Sequence, residues 1–107
     1  MSQLQWNREF ALEQTAGDEE LLEELLALFK DASAGDLEKL RRAVGDRDAP
    51  AVVEAAHSLK GASASLGFEA IRSLAQEMEM DARQDSIECA ASRLEEMAAL
   101  LAEVEKL

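Results

Sequence analysis

Residues 56–67 read AHSLKGASASLG, and the way this stretch turns as a helix decides how the rest of the chain is read. It carries the only histidine, His57, with Lys60 and Gly61 one turn on and Gly67 at its end. A lone histidine can be a packed core residue, a metal ligand, a base or a nucleophile, and the face it occupies separates these. At about 100° per residue, Val52, Ala55, Ala56, Leu59, Ala62, Ser63 and Leu66 fall within roughly 80° of one direction, and His57 falls about 155° from it. The histidine therefore faces away from the apolar side.

Its neighbours on that outward face are Val53, Gly61 and Ala64, with Lys60 at the flank. Glycine inside a helix costs about 1 kcal/mol relative to alanine, so Gly61 is either a tolerated surface glycine or a residue that keeps the approach to the ring open. Lys60 has two readings as well. It can pair with a carboxylate on a neighbouring helix, or it can neutralise an anion transferred onto the ring. Neutral imidazole is nucleophilic near neutral pH, and an ammonium binds phosphoryl oxygens as a point charge.

Gly67 is a left-handed stop for this helix, and Asp48 with Pro50 in GDRDAP (residues 45–50) is its start. Upstream, a short helix over Asn7 to Gln14 precedes the break at Ala16–Asp18. Asp18 then caps a long helix whose apolar residues are Leu21, Leu25, Leu28, Phe29, Ala32, Leu37, Leu40 and Val44, with Gly35 as a place for a bend. Downstream, Ile71, Leu74, Ala75, Met78 and Ala82 mark a fourth helix. After Arg83–Asp85, the pair Asp85 and Glu88 reads as a capping box for a fifth, with Leu94, Met97, Leu101 and Val104 as its stripe. Short connections make neighbours antiparallel. The expected fold is all-α: an up-down-up-down antiparallel four-helix bundle with a short extra N-terminal helix.

The composition agrees. The 107 residues are one domain long, residues 1–107, with one Pro, five Gly, one Trp, three Phe and no Tyr, so leucine and alanine must do most of the packing. A net charge of −12 argues against nucleic acid and against an anionic membrane surface as partners. Cys89 stands alone, so no intrachain disulfide forms. No apolar run approaches the roughly 20 residues of a membrane span, and MSQLQWNREF lacks a signal-peptide pattern, so a cytoplasmic protein is expected. One histidine and one distant cysteine do not make a metal site, and neither a Walker-type loop nor a Ser-His-Asp arrangement is legible.

With these residues in hand, residues 56–67 resemble the signature of histidine-containing phosphotransfer (HPt) domains: His, an apolar residue, Lys-Gly, small residues, then Gly. GDEELLEELLALF (residues 17–29) is similar to the family's second helix and GFEAIRSLAQEMEMDAR (67–83) to its fourth. The resemblance implies that His57 is phosphorylated on the ring nitrogen distal to the backbone, that Lys60 stabilises the phosphoryl group, and that Gly61 and Ala64 leave the approach open. It implies that Ser63 and Gly67 let the third and fourth helices pack and turn closely. A polar residue of the following helix would bond the other ring nitrogen. Glu79 holds the matching position, with Gln76 one turn earlier, although Glu79 also reads as an ordinary solvated helix residue. Two departures are Ala75, where a cysteine is often found, and ARQD (residues 82–85) in place of a glycine-containing turn.

The function implied is a phosphorelay intermediate without kinase activity of its own. His57 would accept a phosphoryl group from a receiver-domain aspartate and pass it to another receiver. The partners are then receiver domains of response regulators or hybrid sensor kinases, the chain is a monomer without cofactor, and Mg²⁺ is expected only in the partner. The opposing reading is a helical adaptor in which His57 is incidental.

Overall fold

The structure is a computed structural model that describes residues 3–107. Met1 and Ser2, which open both the expected domain and the segment read for a targeting pattern, lie outside the described residues. Helix α1 spans Arg8–Gln14, α2 Glu19–Gly45, α3 Ala49–Leu66, α4 Glu69–Arg83 and α5 Glu88–Glu105. The four long helices close into a ring, with α2 against α3 and α5, and α4 against α3 and α5, while α1 lies on α2 and α3. Among the described residues there is no strand, only one isolated bridge between Trp6 and Phe68. None of the described helices is long and apolar enough to cross a membrane.

Side-chain caps set three of the starts. Asn7, Asp18 and Asp48 accept from the backbone N–H groups of Phe10, Leu21 and Ala51 at 3.0–3.1 Å, satisfying donors that no helical carbonyl can reach. The capping box expected at Asp85 does not form. Asp85 adopts φ +64° and gives its own N–H to Ala82, so it terminates α4 rather than starting α5. The α5 donors are met by Ser86 Oγ, which accepts from Glu88 N at 3.2 Å, and by Asp81 of α4, which accepts from Cys89 N at 2.9 Å. A carboxylate from the preceding helix thus replaces the local cap.

The buried face of α2 also differs from the expected stripe. Leu22, Phe29, Ser33, Asp36, Leu40 and Ala43 point inward, while Leu28 is 64% exposed and Leu21 and Ala32 are exposed too. Paired leucines at 21/22 and 25/26 present two apolar faces, and two polar residues on the inward face conceal its periodicity. The helix runs through Gly35 without interruption.

The N-terminal segment ties the α3–α4 turn. Leu4 is buried and its carbonyl accepts from Ala70 N at 3.1 Å, serving an α4 start that has no side-chain cap. Trp6 stacks on Phe68 with ring centroids 5.4 Å apart and donates from Nε1 to the Leu66 carbonyl at 2.9 Å. Between them the carbonyl of Gly67, a residue at φ +78°, accepts from Asn7 N at 2.9 Å. A Cβ on Gly67 would lie 2.7 Å from the Asn7 carbonyl oxygen, whereas one on Gly61 would meet nothing within 4 Å.

These two glycines should respond oppositely to alanine in urea unfolding. Gly67→Ala should lose at least about 1 kcal/mol, from left-handed strain alone, with the backbone clash adding to it. Gly61→Ala should gain up to about 1 kcal/mol. Equal responses would contradict the packing described.

Candidate functional site

Helix α3 turns as its apolar pattern requires. Val52, Ala55, Ala56, Leu59, Ser63 and Leu66 are buried, and Ala62 is partly so. The His57 side chain is 63% exposed, with exposed Gly61 and half-buried Ala64 on the same outward side. Ser63 sits inside the bundle and returns its hydroxyl to the Leu59 carbonyl at 2.7 Å, so its own polar group is satisfied where α3 and α4 pack.

The ring meets α4 through Glu79. Its side chain is only 5% exposed, because it falls on the inward stripe of α4 beside Ala75, Met78 and Ala82. Glu79 Oε2 is 3.1 Å from His57 Nδ1 and also accepts from Arg83 Nε and Nη2 at 3.1 and 2.6 Å. Lys60 Nζ lies 2.8 Å from the other oxygen, Oε1, as an ion pair rather than an aligned hydrogen bond. Burial works toward the neutral acid, but Lys60, Arg83 and His57 outweigh it and hold the Glu79 pKa down at about 2, from an ordinary 4.5.

With Glu79 ionised, this contact fits one tautomer of a neutral ring. An ionised carboxylate can only accept, so Nδ1 must carry the proton and Nε2 keeps its lone pair. The arrangement therefore holds one nucleophilic nitrogen away from its buried partner, with two cations close to the same carboxylate. Of the residues singled out in the sequence, His57, Lys60 and Glu79 come together, and Lys60 takes the pairing with a carboxylate on a neighbouring helix. Gln76 does not join them. It is exposed, accepting from Arg72 at 3.2 Å and contacting Met80 Sδ at 3.9 Å. Glu79 is not the solvated residue that its charge suggested.

Two contributors were missed. Arg83 lies one turn after Glu79, an i,i+4 spacing that signals such a pair. Asp36 is buried in α2 and accepts from Ser58 Oγ at 2.7 Å, pinning α3 to α2 beside the ring. His57 and Ser58 border a groove whose other walls include Lys39, Arg42 and Glu54. A second, more apolar groove lies along the same two helices, between Leu25, Leu28 and Ala32 of α2 and Ala62 and Ser65 of α3. Among the described residues no group of three or more His, Cys, Asp or Glu side chains is placed to hold a metal ion.

Comparison with known proteins gives this geometry a family. Residues 24–107 match the model of the Hpt domain. The chain belongs to the Hpt domain family. A crystal structure of histidine-containing phosphotransfer protein B (HptB) from Pseudomonas aeruginosa PAO1 is similar over 96% of this chain and 90% of that one, at 27% identity and a TM-score of 0.86. The HPT domain of a sensor hybrid histidine kinase from Shewanella shares the fold, with a TM-score of 0.77 at 23% identity over 95% and 92% of the two chains. No curated protein matches. The Hpt fold supports a histidine phosphotransfer role in two-component signalling.

The depressed Glu79 pKa carries a stability signature. Below 4.5 the unfolded chain takes up this proton before the folded one, so the contribution of Glu79 is complete above about 4.5 and is lost as pH falls toward about 2. Unfolding free energy should therefore drop across that window, and Glu79→Gln should remove part of the slope. An unchanged slope in the variant would contradict the buried ion pair.

Proposed function

We propose that this chain is a phosphorelay intermediate in which Nε2 of His57 accepts a phosphoryl group from a receiver-domain aspartyl phosphate and passes it to another receiver. The observation that carries the reading is a single exposed histidine whose near nitrogen is bonded to a buried carboxylate, leaving the far nitrogen as the nucleophile. An incidental surface histidine has no need of such a partner.

Each neighbour then has a part. Glu79 holds the tautomer and ring orientation, a role that does not extend to Gln76, whose amide is engaged elsewhere. Gly61 and Ala64 keep the surface low, so that a receiver can bring its phosphoryl group in line with Nε2. The small buried Ser63 lets α4 lie close to α3, and Gly67 makes the left-handed turn that leads into α4. Lys60 is 31% exposed and turns from Glu79 toward the phosphoryl oxygens once they arrive. Mg²⁺ belongs to the receiver, and no residue of this chain is assigned to it. The phosphoryl group comes from the partner, so the chain acts as a carrier and not as a kinase.

Incubation with a phosphorylated receiver tests the reading. Acid-labile label should appear on the chain and be absent in His57→Gln, with stability falling by no more than about 1.5 kcal/mol because Glu79 loses one donor and keeps Lys60 and Arg83. Gly61→Leu should slow labelling, and Lys60→Ala should shorten the life of the phosphorylated form. A helical adaptor would take no label, and label retained by His57→Gln would place the acceptor elsewhere.

A further inference from the structure

The phosphotransfer reading leaves open what happens to the Nδ1 proton once Nε2 is phosphorylated. When Nε2 attacks phosphorus, the P–O bond to the aspartyl carboxylate breaks and its electron pair leaves with that carboxylate. A P–N bond forms. The ring then bears a hydrogen on Nδ1 and phosphorus on Nε2, and is formally a cation. In water such a ring can shed the Nδ1 proton and become neutral. Return transfer must then either regain a proton or expel a ring anion, which is a far poorer leaving group than neutral imidazole.

We propose that Glu79 keeps the Nδ1 proton in place throughout the phosphorylated state, so that phospho-His57 persists as the protonated, transfer-ready species and the domain passes its phosphoryl group on rather than storing it. The inference rests on the phosphotransfer reading and deepens it. Its support is the division of the carboxylate between its two oxygens. Oε2 faces Nδ1 and is also bound by both Arg83 nitrogens, whereas Lys60 sits on Oε1. Lys60 can therefore leave for the phosphoryl oxygens without disturbing the contact to Nδ1. Arg83 stays to compensate a carboxylate that is 95% withdrawn from solvent.

The anion is thus never left buried without a cation. Its negative charge remains next to the ring when the ring becomes positive, which is where a fixed opposite charge stabilises most. The other charged groups near the ring do not substitute for it. Asp36, from α2, accepts from Ser58; Lys39 and Arg42 of the same helix are cations on the wall of the adjoining groove; and Glu54 of α3, on that same wall, makes no hydrogen bond to Nδ1, which faces Glu79.

The test loads the protein with phosphoramidate, a small phosphodonor that requires no receiver, and reads the ring nitrogens of the single histidine by ¹⁵N NMR at neutral pH. Wild-type phospho-His57 should show a protonated Nδ1. Glu79→Gln should show Nδ1 without its proton, and should return the phosphoryl group to a receiver at least about tenfold more slowly. A wild-type ring that has lost the Nδ1 proton overturns the inference by itself, whether or not the variant folds. Identical nitrogen shifts in a folded Glu79→Gln variant overturn it as well. Failure of phosphoramidate to load His57 would overturn the phosphotransfer reading and this inference with it, whereas a loaded but deprotonated wild-type ring overturns this inference alone.

Discussion

A carboxylate withdrawn from water is tolerated only where cations and hydrogen-bond donors surround it, and the site depends on how Glu79 meets that condition. Its partners come from two helices: His57 and Lys60 from α3, Arg83 from its own α4. The same contacts that make the buried charge bearable also fix the ring, so stability and chemistry are linked at one residue. Arg83 connects them most directly, since it touches Glu79 through two nitrogens and shares Oε2 with the histidine.

The bundle brings these groups together through small side chains. Ser63 is fully buried and satisfied within its own helix, and Gly67 permits both the left-handed stop and the close pass of the Asn7 carbonyl. On the other side, Asp36 and Ser58 tie α2 to α3 next to the ring. The N-terminal segment adds a clasp at the far end of the hairpin, where Leu4, Trp6 and Asn7 hold the turn between α3 and α4. The histidine is therefore an exposed group on a rigid face rather than a residue of a mobile loop, and rigid placement suits a reaction that depends on alignment.

Much of this was legible in the sequence because it follows local rules. Caps at Asp18 and Asp48, the stop at Gly67 and the outward turn of His57 need only helical periodicity and the chemistry of helix ends. The parts that stayed hidden are non-local. The α5 start is capped by Asp81 from another helix, and Asp85, a good cap by its chemistry, is held instead in a turn. The leucine pairs of α2 present two equally apolar faces, and only the assembled bundle chooses Leu22 and Phe29 over Leu21 and Leu28. Glu79 was marked as the partner of the ring only by the family resemblance, and taken alone it also reads as a solvated residue because glutamate usually is one. Its place beside Met78 on the inward stripe was the signal that it is not, and Arg83 one turn on was the second.

If Glu79 leaves Nε2 of His57 as the free nucleophile, the ring tautomer of the unphosphorylated protein must show it. With one histidine in the chain, a long-range ¹H–¹⁵N correlation spectrum taken where the ring is neutral reports the two nitrogens without ambiguity. The proton should sit on Nδ1 and the lone pair on Nε2, with that preference weakened in Glu79→Ala. A ring carrying its proton on Nε2 in the wild-type protein would contradict it.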